Sequence, residues 1–401
     1  MDRIIFHIDV NNAFLSWTAL DLLANGYKED IRKIDAVIGG DESRRAGIVL
    51  AKSVSAKQKG IVTGETLFSA RKKCPGLRTY QPKYDIYQTK SHSLFDLLSK
   101  YTPDIETFSI DECFLDYGKV KNLYGEELLF AQKLKDEIQN SLGFTVNIGI
   151  ANNKLCAKMA SDFLKPNRIH TLFNNEIETK MWPLAIDELF GIGKKTSAKL
   201  RGLGINTIGD LAHADYDRIY PYFKNQTGKM IDSAWGRNND PVISEYGESK
   251  GISNSTTLDH DLKNKEEVYK VLHLISDNLA LVLRKQKRYA CIVVVILKDC
   301  YFKSYSHQLK LKNGTNITEE IFISAKKLFD EMWNLDPIRL VGIRLDGLAK
   351  EISYQMSLFE SNEDRSKITK LDQAVDDLKA KYGCNVICNA YLNKEKVSRK
   401  D

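Results

Sequence analysis

Two adjacent acids, Asp111 and Glu112, interrupt the otherwise apolar stretch Phe108-Ser109-Ile110-Asp111-Glu112-Cys113-Phe114-Leu115-Asp116, and they narrow the folds open to this chain more than any other feature. Neighbouring side chains on a flat strand point to opposite faces, so two consecutive acids can share a ligand only at a bend or a hairpin end. Like charges gathered there repel, and a divalent cation removes the repulsion. A third acid, Asp9, ends the apolar run of residues 3–9, which reads as a buried strand. An ionised carboxylate in that position is costly unless a cation or hydrogen-bond donors meet it; helix capping or a salt bridge are the simpler reasons for an acid there. Three carboxylates around two oxygen-loving ions form the arrangement used for in-line phosphoryl transfer. One ion lowers the pKa of an attacking hydroxyl, and the other holds a triphosphate and stabilises the leaving pyrophosphate. Asp9, Asp111 and Glu112 are therefore the candidate catalytic and metal-binding set.

The 401 residues suggest two to four domains at roughly 100–200 residues each. Residues 11–23 carry apolar positions that suit a helix after the first strand, with Asn11 or Asn12 as its cap, and the turn from strand to helix offers free backbone N–H groups to phosphates. A strand pair over 104–117, a helix over 125–140, a strand over 144–150 and a helix from about Asn152 complete a mixed α/β unit. Residues 184–213, with Gly191-Ile192-Gly193, a lysine-rich helix and Leu203-Gly204-Ile205, read as a compact all-helical module. The turn-forming stretch from Gly236 to Pro241 is a linker leading into residues 242–249. Beyond it the pattern is strand 249–258, helix 264–286, strands 290–298 and 302–311, helix 318–333 and strand 338–348. That β-α-β-β-α-β order describes a split βαβ sandwich. The last fifty residues read as a charged tail with local helix near Leu371, Val375 and Leu378.

The net charge of +6 is modest, but basic residues crowd into Lys57 to Lys59, Arg71 to Lys73, Lys194 to Arg201, Arg284 to Arg288 and Lys303 to Lys312, as a protein tracking a phosphate backbone needs. No apolar run approaches the ~20 residues that cross a bilayer, and the amino terminus reads as a strand, not a signal peptide. Seven scattered cysteines suit a reduced, cytoplasmic compartment. The one close pair, Cys384 and Cys388, lacks the partners of a tetrahedral zinc site.

The segments HIDVNNAF, FSIDECFLD, GIANNKLCAKMASDFLKPN and LFGIGKKTSAKLRGLGINTIGDL, in this order, resemble those of the Y-family translesion DNA polymerases, over roughly residues 3–350. The resemblance implies an α/β multidomain right hand: a palm at 1–18 and 82–172, small fingers at 19–81, a thumb with a helix-hairpin-helix at 173–238, a linker at 239–248, a little finger at 249–350, and a tail from 351 onward. It implies two Mg2+ ions on Asp9, Asp111, Glu112 and the Val10 carbonyl, a steric gate against ribonucleotides at Phe14, and Lys165 of the Lys165-Pro166-Asn167 turn reaching the triphosphate. Gly191, Gly193, Lys194 and Lys195 are the implied DNA contacts, with the little finger laying a basic sheet along the duplex. The fingers depart from the family pattern. Val54 and Lys57 stand where a tyrosine and an arginine usually meet the triphosphate, and Ala13 replaces a common aromatic. Gln355-Met356-Ser357-Leu358-Phe359 resembles the bacterial sliding-clamp-binding peptide, with Gln355, Leu358 and Phe359 as its anchors. The implied activity is low-fidelity, primer-extending DNA synthesis past lesions, without proofreading. The implied partners are primer-template DNA, deoxynucleoside triphosphates and the clamp, and the enzyme is expected to be a monomer off the membrane. A catalytically silent DNA-binding accessory subunit, or another two-metal palm enzyme such as a nucleotidyl cyclase, are the alternatives.

Overall fold

The computed structural model describes residues 3–41, 47–245, 247–351, 362–383 and 386–387; the Gln355, Leu358 and Phe359 peptide and the Cys384/Cys388 pair lie outside the described residues. The chain forms two compact units, one comprising Met1–Asp41 with Gly47–Tyr246 and the other beginning at Gly247.

The first unit opens with β1 (Ile5–Val10) and α1 (Ala13–Ala24). β1 is the centre of a five-stranded sheet that also holds β5 (Ile105–Thr107), β6 (Glu112–Asp116), β7 (Val146–Ala151) and β8 (Ile169–Leu172), in the order β5-β6-β1-β7-β8. Both faces of β1 are covered, which is why residues 3–9 read as a largely apolar run with little polar interruption rather than an alternation. Phe6, Ile8 and Val10 pack into a core with Trp17 of α1, Tyr87 and Leu94 of α4 (Tyr84–Ser99), and Phe130 and Leu134 of α6 (Glu127–Leu142). Ile5 points the other way, into a core with Phe114 and with Leu155, Cys156 and Met159 of α7 (Lys154–Asp162). With a side-chain period of two, His7 and Asp9 share that second face. The helix lies unusually close to the sheet at Gly149, where a Cβ would stand 2.0 Å from the Ala157 carbonyl oxygen.

Between α1 and α4 a small three-stranded sheet, ordered β3-β2-β4, is formed by β2 (Ala36–Gly39), β3 (Val49–Lys52) and β4 (Arg78–Tyr80), backed by α2 (Val54–Gln58) and α3 (Leu67–Lys73). Ser53 caps α2 by accepting from the Ala56 amide. α5 (Lys121–Tyr124) precedes α6. The expected cap of α1 is different: Asn12 holds the N-cap position at φ 53° but its side chain does not cap, donating instead to the Lys52 carbonyl. The Asn11 amide is committed to Asn147 and Asn167, so neither asparagine does what propensity suggested.

After β8 come four short helices, α8 (Lys194–Gly202), α9 (Ile208–Ala212), α10 (Tyr216–Phe223) and α11 (Thr227–Ala234), around Leu200, Ile205, Ile208, Leu211 and Ile219. A reciprocal capping box of Thr207 and Asp210 starts α9. The expected linker is not a free strand of chain. Asn153 donates to the Gly236 carbonyl at 2.8 Å. The buried Glu106 carboxylate is held by Lys154 at 2.7 Å and accepts from the Ile243 amide at 2.9 Å, so the chain stays fastened to the sheet as far as Ile243.

The second unit contains β9 (Gly251–Leu262), α12 (Lys265–Lys285), β10 (Ala290–Asp299), β11 (Ser304–Thr315), α13 (Thr318–Met332) and β12 (Ile338–Asp346). Its sheet order, β11-β10-β12-β9, slots β12 between β9 and β10, which is the split βαβ arrangement that the element order implied. Ile275, Leu279, Ala325 and Phe329 of the two helices cover one face. By strand alternation the opposite face carries Lys298, Lys310, Lys312 and Arg344 beside the hydroxyls of Ser253, Ser255, Thr257, Ser304 and Ser306. In the Arg284 to Arg288 run the two arginines turn to their own unit, while Lys285 and Lys287 stay exposed. Arg288 donates to the Ser249 carbonyl and pairs with Glu248. Arg284 grips Asp372 at 2.9 Å and Asp376 at 2.6 Å on α14 (Asn362–Tyr382). The expected local helix of the tail is thus a 21-residue helix docked through its acids, with Lys379 also paired to Asp277. Upstream, Tyr289 and Ala349 exchange backbone hydrogen bonds at 2.9 Å each way.

Candidate active site

The bend that two adjacent acids require is present. Phe108 and Ser109 both donate their amides to the Glu112 carbonyl, at 2.9 and 3.0 Å, folding residues 108–111 into the turn between β5 and β6. Asp111 stands in that turn and Glu112 opens β6, directly across from Asp9 in the β1/β6 register. The Val10 amide donates to the Asp111 carbonyl at 2.9 Å, which ties the end of β1 to the turn. The Asn11 amide goes to Thr145, so an anion at this strand-to-helix turn would be met only by amides from Asn12 onward, fewer than the sequence suggested.

Two ammonium groups reach into the acids. Lys165 Nζ lies 2.8 Å from Asp9 Oδ2 and 2.8 Å from Asp162 Oδ1. Lys158 Nζ contacts Glu112 and is 3.6 Å from both Asp9 Oδ2 and Asp162 Oδ2. Beneath Glu112, the fully buried His7 places Nε2 3.2 Å from Oε2, and its Nδ1 is 2.8 Å from the Ser161 hydroxyl. The Ser161 hydroxyl donates to the Lys158 carbonyl at 2.8 Å, so toward His7 it accepts. Ser109 donates to Asp111 Oδ1 at 2.6 Å.

These neighbours separate the acids electrostatically. Burial raises the Asp111 carboxyl above its usual range, and repulsion from Asp9 and Glu112 adds to that shift. Burial acts the same way on Glu112, but His7 and the Lys158 ammonium outweigh it and bring its pKa down to about 2. Burial pushes His7 below its ordinary value, favouring the neutral ring. Burial would lower Lys158, yet Glu112, Asp162 and Asp9 raise it and keep it charged.

No three acid, histidine or cysteine side chains among the described residues are drawn together closely enough to cage a metal ion as they stand, because lysines lie among the three acids. The donor set nevertheless fits hard divalent ions. It consists of carboxylate oxygens that repel one another, on a turn and two strands already fixed by backbone hydrogen bonds, with the Val10 carbonyl adjacent.

The other expected residues divide into two groups. Phe14 is half-buried and stacks on Tyr87, centroids 4.4 Å apart and planes 10° apart, with Tyr84 edge-on at 6.1 Å. Ala13 is buried. Lys165 is positioned by buried amides: Asn147 donates to the Leu164 carbonyl at 2.7 Å, and Asn11 accepts from the Asn167 amide at 2.8 Å. Val54 is 57% exposed and Lys57 is exposed, both on α2 and neither in contact with the acids. Gly191 takes φ +93°, a conformation suited to glycine, and Gly193 is the N-cap of α8 without a side-chain cap. Lys194 and Lys195 are exposed in its first turn.

Sequence reasoning missed His7, Lys158, Ser161 and Asp162. The signals were present. His7 lies two residues before Asp9, on the same strand face. Lys154, Lys158, Ser161 and Asp162 recur at i, i+4, i+7 and i+8, one stripe of a helix.

The sequence pattern of the impB/mucB/samB family matches residues 8–162, that of its C-terminal domain matches 249–358, and that of the IMS family HHH motif matches 174–205. The chain is 46% identical to DNA polymerase IV of Clostridium acetobutylicum over 394 residues, 98% of each chain. It is 33% identical to DNA polymerase IV 1 of Bacillus subtilis, over 99% of this chain and 95% of that one. Its fold matches a solved Y-family DNA polymerase chimera, Dbh-Dpo4(243-245)-Dbh, with a TM-score of 0.74 at 23% identity, covering 87% of this chain and all of that one. The ordered motifs, the split βαβ unit and these likenesses converge: the chain belongs to the impB/mucB/samB family of Y-family DNA polymerases.

Proposed function

We propose that the protein extends a DNA primer on a template, damaged or not, by transferring a deoxynucleotide to the primer 3′-hydroxyl at low fidelity and without proofreading. The observation that carries this reading is the opposition of Asp9 and Glu112 on β1 and β6, with Asp111 in the adjoining turn. Two magnesium ions bound to Asp9, Asp111, Glu112 and the Val10 carbonyl would acidify the 3′-hydroxyl and neutralise the triphosphate and leaving pyrophosphate. The chain supplies the rest. Lys165, held by the Asn11, Asn147 and Asn167 amides, offers a point charge to the triphosphate. Phe14, braced by Tyr87, presents a rigid ring under the sugar, leaving no room for a 2′-hydroxyl. Ser161 holds the His7 ring beneath the Glu112 carboxylate. The Gly191 to Lys195 segment gives sequence-independent amide and ammonium contacts to a DNA backbone, and the hydroxyl-rich open face of the second unit suits the same target.

In this reading residues 1–18 and 82–172 are the palm, 19–81 the fingers, 173–238 the thumb, 239–248 the linker and 249–350 the little finger. Gln355, Leu358 and Phe359 serve as anchors for a bacterial sliding clamp, and the protein works in the cytoplasm. Val54 and Lys57 leave the triphosphate without a tyrosine hydroxyl or a guanidinium fork, so nucleotide binding relies more heavily on Lys165 and the ions.

Primer extension with deoxynucleotides and Mg2+ tests the proposal. Asp111→Asn and Glu112→Gln are expected to abolish extension while primer-template affinity, read by fluorescence anisotropy, stays nearly unchanged. Equal loss of binding in both variants would remove the case for metal chemistry at these acids.

A further inference from the structure

We propose that Lys158 is an internal rival of the divalent ions, so that its ammonium sets how tightly the carboxylate set binds metal. The inference rests on the two-metal reading above. Lys158 Nζ contacts Glu112 Oε2 and stands 3.6 Å from Asp9 Oδ2, and these are oxygens the ions need. A lone pair directed at an ammonium is not available to a cation, and a unit charge this close repels a second one. The side chain is 12% exposed, so water and salt screen it little.

Lys165 also touches Asp9, but its 35% exposure leaves it room to turn toward a triphosphate. Lys158 has no such outlet. Its remaining partner is Asp162, one turn further along the same helix at 3.6 Å. Divalent binding therefore exchanges Glu112 for Asp162 as the principal partner of Lys158, and Asp162 acts as the acceptor that makes the exchange possible. Neither residue needs to touch substrate, so both are positioning residues. Lys158 weakens metal binding, Asp162 offsets that effect, and neither performs chemistry.

The test is Mn2+ titration of the full-length protein without DNA or nucleotide, following free Mn2+ by electron paramagnetic resonance. Lys158→Met is expected to bind Mn2+ about tenfold more tightly, within the range given by removing a unit charge ~4 Å away near a protein surface. Lys158→Arg, which keeps the charge, should stay within about twofold of the unaltered protein, and Asp162→Asn should bind several-fold more weakly. Circular dichroism checks the fold. Should Lys158→Met fail to fold, Lys158→Gln, which keeps a donor for Glu112 without the charge, must show the same tightening. Unchanged or weaker Mn2+ binding in the neutral variant would overturn the proposal while leaving the two-metal reading intact. Absence of Mn2+ binding to the unaltered protein would overturn both.

Discussion

Replacing Gly149 by alanine tests whether the α7 lysines must be held at one distance from the sheet. An added Cβ would stand 2.0 Å from the Ala157 carbonyl oxygen and 2.5 Å from the Ser161 amide nitrogen, where ordinary contact begins near 3.4 Å. Both obstacles are backbone, so no side chain can swing aside, and α7 has to retreat by roughly 1 Å or more. Overpacking of this kind typically costs about 1–3 kcal/mol. The retreat carries Lys158, Ser161 and Asp162 with it and drags on the turn that holds Lys165, and a ~1 Å misplacement of positioning groups can cost ~100-fold in rate. Gly149→Ala should therefore lower the urea midpoint by an amount equivalent to about 2 kcal/mol, and should slow single-turnover nucleotide addition by one to two orders of magnitude at a temperature where the variant is fully folded. Gly209→Ala provides a control: its added Cβ would meet the Cβ and carbonyl of Trp182 at 3.1 and 3.3 Å, away from the acids, so it should affect stability but not rate. A Gly149→Ala protein with normal stability and normal rate would show that the close approach of α7 matters to neither.

Phe14→Ala removes a stacked ring worth about 1 kcal/mol beyond its buried area and should raise ribonucleotide incorporation at least tenfold in primer-extension assays; unchanged sugar discrimination would relieve Phe14 of the gate role. Glu112 titrates at about 2 in the folded protein against 4.5 ordinarily, so its share of stability is present above pH 4.5 and is lost as pH falls toward 2. The full shift corresponds to at most about 3 kcal/mol, and Glu112→Gln should flatten the pH dependence of unfolding over that window when measured with chelator present. Arg284→Ala leaves Asp376 without its guanidinium and Asp372 with the Thr318 amide alone, costing on the order of 3 kcal/mol. It should release α14 to trypsin while the β9–β12 unit stays folded, its melting temperature lowered by the lost bonds to Asn316 and Thr318, and an α14 that stays protected would show that other contacts hold it.

The sheet and the acids were legible because both follow from short-range rules. A largely apolar strand implies a sheet covered on both faces, and two adjacent acids imply a turn, and Phe108 to Asp111 make that turn. The split βαβ unit could be read from element order because its strand and helix periods are distinct. The lysines among the acids were harder to see. Nothing along the chain states that Lys158, forty-six positions from Glu112, descends on the same carboxylate, since that depends on how close α7 can approach Gly149. Basic runs also misled: Arg284 and Arg288 are consumed by acids and carbonyls of their own unit, and charge clustering in sequence does not distinguish a guanidinium facing solvent from one closing an ion pair.

The docking of α14 has a consequence for the segment before it. Backbone pairing between Tyr289 and Ala349 fastens the chain on one side, and the grip of Arg284 on Asp372 and Asp376 fastens it on the other. Each attachment holds its own end of the span from Ala349 to Asp372. A protease nick within that span would leave the downstream helix attached without a covalent link, and with Arg284 only 11% exposed, salt would loosen the grip little.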